Sequence, residues 1–136
     1  MPQMNYQTIS KLIMDDVNMR ILSATAFESL SARDLAYMFD IPLVSCYRKI
    51  NELEEAGLLK CVEKPLKANG KRVRKYKSQL IKVVLTFERG KLRIALDVSW
   101  RRTQHFEASW TKGLETAGLE LPIGGSIPLD KVPTKN

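Results

Sequence analysis

The feature that most constrains the fold is the segment IPLVSCYRKINELEEAGLLKC, which begins beside a proline and passes through a glycine near its end. Its apolar residues recur at helical spacing and form one stripe: Cys46, Ile50 and Leu53. Pro42 lacks a backbone N–H and suits the start of a helix, whereas Gly57 suits the position after the last turn. The pattern predicts a helix over residues 43–56 with one buried face.

A basic β-hairpin is predicted to follow this helix. Residues 58–62 are mostly apolar and read as a strand, and residues 72–80 alternate as the returning strand. Asn69-Gly70 between them is a strong turn signal. Residues 60–82 carry nine basic side chains and one acidic side chain, a net charge of +8, so the whole +7 excess of the chain lies in this segment. Such a concentration of charge favours a local polyanion-binding surface over the plainer alternative of a solvated basic loop.

Two further helices are predicted upstream. Residues 9–23 place their apolar side chains on one helical face and predict a first helix. Ser31, with Asp34 three residues later, predicts a capped second helix, in which aspartate stands where Glu or Gln is usual. Asp40 ends that helix, since aspartate tolerates the left-handed conformation better than most residues.

The chain from residue 10 to residue 80 resembles the winged-helix transcription regulators of the ArsR type, in the archaeal form without metal-sensing ligands. The resemblance rests on SARDLAYMFDIPLVSCYRKINELEEAGLLK, on the preceding MDDVNMRIL and above all on LEEAGLL. It implies an α+β winged helix-turn-helix, with a three-helix core and a β-hairpin wing, that binds double-stranded DNA. Two features depart from the family: Asp40 replaces the usual turn glycine, and the metal-ligand sets of its sensors are missing, so metal sensing is not implied.

The resemblance implies that helix 43–56 enters the major groove and that the wing, residues 60–77, lies on the phosphate backbone. The candidate DNA-binding residues of the helix are Leu43, Val44, Ser45, Tyr47, Arg48, Lys49 and Asn51. Arg48 can contact guanine with two hydrogen bonds, and Lys49 is assigned to the backbone. Leu43 and Val44 could equally pack against the second helix, and Tyr47 could cover the edge of the core.

The candidate DNA-binding residues of the wing surround the Asn69-Gly70 turn. They are Lys64, Lys67, Asn69, Lys71, Arg72, Arg74 and Lys75. Their positive charges can neutralise phosphates, which supplies affinity but no direct base specificity.

The C-terminal part is predicted to be a separate accessory element. Residues 81–100 alternate and carry Arg89-Gly90 at a turn, which predicts a second hairpin; residues 101–117 repeat aromatic and apolar side chains every four positions, which favours a helix. The expected organisation is a DNA-binding domain at 9–80, a dimerisation or packing element at 81–118 and an irregular or mobile tail at 119–136. A homodimer is expected, because winged-helix regulators commonly bind as two-fold dimers.

Several classes of function are disfavoured by the sequence. There is no glycine-rich phosphate loop, paired catalytic carboxylate or nucleophile–base set, so no enzyme and no cofactor is expected. Two cysteines and one histidine are too few for a structural zinc site, and Cys46 and Cys61 are expected to pack as small apolar residues. No apolar run is long enough to span a bilayer, which favours a cytoplasmic, nucleoid-associated protein.

Three functions are compatible with these patterns. The first is a sequence-specific, dimeric transcription regulator. The second is an architectural nucleic-acid-binding protein with little base readout, and the third is a winged helix reused as a protein-interaction module. The operator, the regulated genes, the sign of regulation and any small-molecule effector are not encoded in these patterns.

Overall fold

A computed structural model describes residues 5–63, 68–111 and 114–121. These residues divide into two compact units, Thr8–Leu80 in the first and Asn5–Gln7 with the residues from Ile81 onward in the second. The helices are α1 (Tyr6–Ile13), α2 (Asp16–Thr25), α3 (Ala32–Phe39) and α4 (Leu43–Glu55). The strands are β1 (Leu59–Glu63), β2 (Lys75–Ser78), β3 (Leu80–Glu88), β4 (Lys91–Val98), β5 (Arg101–Thr111) and β6 (Leu114–Leu121).

The single first helix predicted over residues 9–23 is wrong, because the chain forms two helices there. Asp15 lies between α1 and α2 with an extended backbone, and its carboxylate accepts a hydrogen bond from the Val17 backbone N–H at 2.9 Å. An aspartate in this position caps a new helix, so the apolar residues on its two sides belong to separate helices. Buried Asn18 reinforces the break, since its side-chain amide donates to the Leu12 carbonyl at 3.2 Å.

The turn between α3 and α4 follows the predicted local chemistry. The capping box of α3 is present, with the Ser31 hydroxyl accepting from the Asp34 N–H at 3.1 Å and the Asp34 carboxylate accepting from the Ser31 N–H at 3.0 Å. Asp40 takes a left-handed conformation with φ 52°, which explains how the chain turns here without a glycine. α4 covers the predicted range to within a residue, and Gly57 follows it with φ 79°.

A two-stranded antiparallel sheet, β1–β2, completes the first unit. β2 is fixed to the connection between α2 and α3, because Tyr76 of β2 and Leu30 of that connection exchange two backbone hydrogen bonds of 3.0 and 2.8 Å. The core of this unit is aliphatic and draws on every helix and on β1. Its fully buried side chains include Ile9, Ile21, Leu35, Cys46, Ile50, Leu53 and Leu58.

The second unit contains a four-stranded sheet in the order β3-β4-β5-β6. The predicted hairpin over residues 81–100 is confirmed as β3 and β4, and both turn residues have positive φ, 53° at Arg89 and 76° at Gly90. Alternate residues of β4 and β5 are buried, and Ile94 lies directly opposite Phe106 on that face. β3 is an edge strand among the described residues, and most of its side chains are exposed.

The helix predicted over residues 101–117 is wrong: residues 101–111 form β5, and β6 begins at Leu114. The prediction relied on a four-residue spacing of Phe106, Trp110 and Leu114, and four is also a multiple of the two-residue period of a strand. The finer alternation within β5 decides the matter, because Gln104, Phe106 and Ala108 are all buried.

The predicted irregular tail, residues 119–136, begins inside β6, which extends to Leu121. The rest of that predicted segment lies outside the described residues. No helix in the described part of the chain is long and apolar enough to cross a membrane.

Candidate nucleic-acid interface

The orientation of α4 is set by its apolar stripe. Cys46, Ile50 and Leu53 are completely buried, and the Cys46 thiol donates to the Ala32 carbonyl of α3 at 3.5 Å. Burial raises the pKa of the Cys46 thiol, which favours the neutral packing role over a reactive thiolate. Since the stripe faces the core, the opposite side of α4 must face solvent.

The exposed side of α4 carries four of the predicted DNA-binding residues. Val44, Tyr47, Arg48 and Asn51 are all exposed, and Val44 is 81 % exposed, so it does not pack against α3. Val44, Arg48 and Asn51 are spaced at four and three residues and share one face. Glu55 lies four residues beyond Asn51 on that face and is also exposed. A carboxylate there repels phosphates, so only the first turns of α4 suit contact with DNA.

Leu43 and Ser45 contribute less to this exposed surface. Both are half-buried, and Leu43 lines a shallow depression with Ala36 and Tyr37 of α3. The sequence left open whether Leu43 and Val44 pack against the second predicted helix, which is α3 in the structure. The half-buried Leu43 fits that packing role better than the exposed Val44.

Lys49 is held by an ion pair inside the protein. Its ammonium group contacts the carboxylate of Asp15, and the Lys49 side chain is only 15 % exposed. The hydrogen bond from Lys49 lowers the pKa of the Asp15 carboxyl, against the opposing effect of burial. Lys49 thus connects α4 to the cap of α2, and its charge is already compensated.

α3 adds two exposed side chains that the sequence interpretation missed. Tyr37 is 91 % exposed, and Arg33 is exposed one turn earlier on the same face. Both border the start of α4, where Arg33 and Tyr37 line the depression that includes Leu43. Their four-residue spacing, which places both on one helical face, is the sequence signal that could have found them.

A cleft of about 670 Å³ separates α4 and the start of α3 from the hairpin. It is lined by Arg33 and Tyr47 on the helical side and by residues of the hairpin on the other. Four of the described lining residues are positively charged: Arg33, Lys71, Arg72 and Arg74. No described lining residue is acidic. A polar cleft with cations on both sides is suited to a polyanion.

The tip of the hairpin has a defined local structure. The Asn69 side chain accepts a hydrogen bond from the Lys71 backbone N–H at 3.0 Å, and Gly70 follows Asn69 with φ 81°. Asn69, Lys71 and Arg72 are exposed. The predicted Lys64 and Lys67 lie outside the described residues.

Tyr76 and Arg74 form the base of the cleft. Arg74 donates a side-chain hydrogen bond to the Tyr76 hydroxyl, and burial raises the pKa of the Tyr76 phenol despite that bond. A phenol that stays neutral and buried positions the Arg74 guanidinium at the cleft without cancelling its charge.

Lys75 lies on the other face of the hairpin. Strand residues alternate, so Lys75 and Lys77 point away from the face that carries Tyr76. Lys77 is directly opposite Lys60 on β1, and Lys75 is opposite Glu63. Two like charges in register repel each other, a cost that a bound anion would relieve.

The comparison with known families finds a match within the first unit. Residues 13–62 match the family model of a helix-turn-helix domain. The fold is an α+β winged helix. The match runs from the end of α1 through β1 and supports a DNA-binding regulator in general, while the four-stranded sheet lies beyond it. No curated protein matches the chain.

Proposed function

We propose that the protein is a sequence-specific regulator of transcription that binds double-stranded DNA as a homodimer on the nucleoid. The observation that carries the proposal is the joint exposure of α4 and the cationic cleft beside it. The exposed start of α4 offers hydrogen-bonding side chains, and the cleft offers four cationic side chains for phosphates, Arg33, Lys71, Arg72 and Arg74.

Base contacts are assigned to α4. An α-helix fits the major groove, where arginine pairs with guanine and asparagine with adenine through two hydrogen bonds each. Arg48 and Asn51 are the exposed residues of these types on α4, and Val44 can contact a thymine methyl group. The Arg48 guanidinium is 3.9 Å from the exposed Glu52 carboxylate, a weak surface pair that leaves the arginine able to turn towards a base.

Phosphate contacts are assigned to the cleft, to the wing and to α3. Each neutralised phosphate releases counterions, so the logarithm of the affinity should fall with the logarithm of salt by about 0.9 per contact. With contacts at Arg33, Lys71, Arg72 and Arg74 the expected slope is about −3.6 per protomer. Tyr37 and Tyr47 can donate hydrogen bonds to further phosphates without changing that slope.

A two-fold dimer would place two copies of α4 on successive turns of DNA, about 34–36 Å apart. The operator would then be a palindrome with half-sites one helical turn apart.

The decisive experiment is fluorescence anisotropy on pools of random duplex DNA, followed by recovery and sequencing of the tightest fraction. Arg33→Glu and Lys11→Glu form a matched pair, since both reverse one exposed charge but only Arg33 lines the cleft. We expect an enriched palindrome, and a much larger loss of affinity for Arg33→Glu than for Lys11→Glu.

Other outcomes would contradict the proposal. Strong, salt-sensitive binding without any enriched sequence would indicate an architectural protein that uses the same cleft. Equal losses for the two reversals would show that only net charge matters, and no binding at low salt would favour a protein-interaction module.

A further inference from the structure

We propose that two copies of the protein join through their β3 strands, which pair antiparallel with Leu85 on the two-fold axis. This inference rests on the proposed homodimer and assigns its surface. The sheets of the two copies would then form one continuous sheet with four strands from each. Open sheets of about eight strands occur commonly enough to make this assembly reasonable.

The first support is the chemistry of the edge. β3 has only β4 as a strand neighbour among the described residues, so its other side presents unpaired backbone groups. Its side chains are unusually apolar for an exposed edge: Ile81 and Phe87 are each 69 % exposed, and Val84 and Leu85 are also exposed. Monomeric proteins usually protect such an edge with a central charge, a proline or a bulge. Residues 83–87, VVLTF, contain neither a charged residue nor a proline.

The second support is the distribution of charge along β3. A lysine precedes the uncharged centre and a glutamate follows it, Lys82 and Glu88, at equal distances from Leu85. When an identical strand pairs antiparallel about Leu85, Lys82 of each copy lies opposite Glu88 of the other. The strand is therefore complementary to itself in this register, which is what a two-fold interface requires.

The apolar residues match in the same register. Val83 lies opposite Phe87 twice, and Leu85 lies opposite its own copy, so the row that alternates along one face continues across the axis. Pairs of aromatic and β-branched residues are favourable across antiparallel strands. Shifting the axis by one residue to Val84 would place Lys82 opposite Thr86 and would lose both ion pairs.

The backbone also permits this register. The two-residue loop at Arg89-Gly90 joins Glu88 to Lys91, so we expect these two to form the hydrogen-bonded pair beside the loop. Backbone N–H and C=O groups alternate in direction along a strand. Since those of Glu88 face β4, those of the other even-numbered residues of β3 do too, and those of the odd-numbered residues face away from β4. Pairing about Leu85 joins odd-numbered residues to odd-numbered residues, as a second ladder requires.

Charge reversal tests the interface in the full chain. We expect Glu88→Lys and Lys82→Glu to weaken the dimer about tenfold or more, because each replaces two attractive pairs with two repulsive ones. The double variant K82E/E88K restores both pairs in the opposite sense and should recover the native dimer affinity. Sedimentation equilibrium over a range of protein concentrations measures each association constant.

Crosslinking tests the register. Directly opposed residues in a hydrogen-bonded pair have Cα atoms about 5.5 Å apart, within the range that a disulfide spans. Leu85→Cys should therefore give a covalent dimer on mild oxidation, whereas Val84→Cys and Thr86→Cys should not. The unaltered chain, with Cys46 and Cys61, controls for its native thiols.

Three results would overturn the assignment. A chain that stays monomeric in solution and on its operator has no such interface, and a dimer insensitive to the charge variants uses another surface. A covalent dimer from Val84→Cys but not Leu85→Cys would refute the register. In each case sequence-specific binding of DNA can persist, so failure of this interface is separable from failure of the proposed function.

Discussion

The winged-helix unit and the four-stranded sheet expose opposite kinds of surface. In the first unit the apolar stripe of α4 is buried, while its outer face and the adjacent cleft carry polar and cationic side chains. In the second unit the apolar residues of β4 and β5 are buried, but the apolar row of β3 is exposed. The cationic surface is suited to a polyanion and the apolar edge to a strand, so one chain presents two surfaces of different chemistry.

The largest expected effect compares an apolar truncation in each unit. Leu53 is 0 % exposed and Leu85 is 46 % exposed. Leu53→Ala should lower the free energy of unfolding by about 2–5 kcal/mol, because it opens a cavity in the core. Leu85→Ala should cost less than about 1 kcal/mol in the monomer. Urea denaturation at low protein concentration measures both.

This pair of variants compares the stability cost of truncating a buried side chain of α4 with that of truncating an exposed side chain of β3. Similar losses at the two positions would mean that β3 is packed as tightly as α4, and the contrast between the units would fail. DNA affinity of folded Leu85→Ala at a single half-site should equal that of the unaltered chain.

The second prediction concerns specificity within the first unit. Arg48→Ala should weaken binding to the selected sequence by about 1–3 kcal/mol, since a two-bond contact to guanine would be lost. Binding to unrelated DNA should change much less. Arg20→Ala is the matched control, because Arg20 is an exposed arginine on α2 that pairs with Asp16 at 2.7 Å. Equal losses on selected and unrelated DNA would exclude base contact by Arg48.

Much of the first unit was predictable because its boundaries are marked by local chemistry. Ser31 and Asp34 form the predicted capping box, and the helix after Pro42 ends just before the predicted glycine. These signals act within a few residues and do not depend on distant contacts. The second unit offered only periodicity, and a spacing of four residues in 101–117 fitted a strand as well as a helix.

The candidate site was predictable only where exposure follows from a helical face. Val44, Arg48 and Asn51 are exposed as the stripe of α4 requires. The partner of Lys49 could not be inferred, because Asp15 is 34 residues away in sequence and the two meet only through tertiary packing. The cleft contribution of Arg33 likewise depends on how α3 approaches the hairpin.

The third prediction distinguishes the wing from α4. Arg72→Ala should weaken binding to all sequences alike, by about fivefold at physiological salt, and should reduce the salt slope by about 0.9. Lys11→Ala removes one exposed charge on α1, outside the cleft, and should do neither. Anisotropy titrations at several salt concentrations give both quantities. A loss that depends on sequence would mean that Arg72 contacts bases or senses groove width.

The smallest expected effect tests whether Lys49 belongs to the fold or to the DNA surface. Its hydrogen bond lowers the pKa of Asp15, so this pair stabilises the folded state above the ordinary carboxyl pKa of 3.8 and is lost as pH falls through and below it. Asp15→Asn keeps a good helix cap but removes the charge, and should cost about 0.5 kcal/mol at neutral pH. The same variant should lose less stability than the unaltered chain on acidification.

Asp16→Asn is the control for that measurement, because Asp16 pairs with Arg20 on the exposed surface and should change stability by only a few tenths of a kcal/mol, roughly. Urea denaturation at pH 7 and near pH 3 measures the difference between the two variants. Lys49→Met should match Asp15→Asn in stability and retain the native salt slope with DNA. A reduced slope would mean that Lys49 contacts phosphates, because an ammonium group that stays paired with Asp15 releases no counterion from DNA.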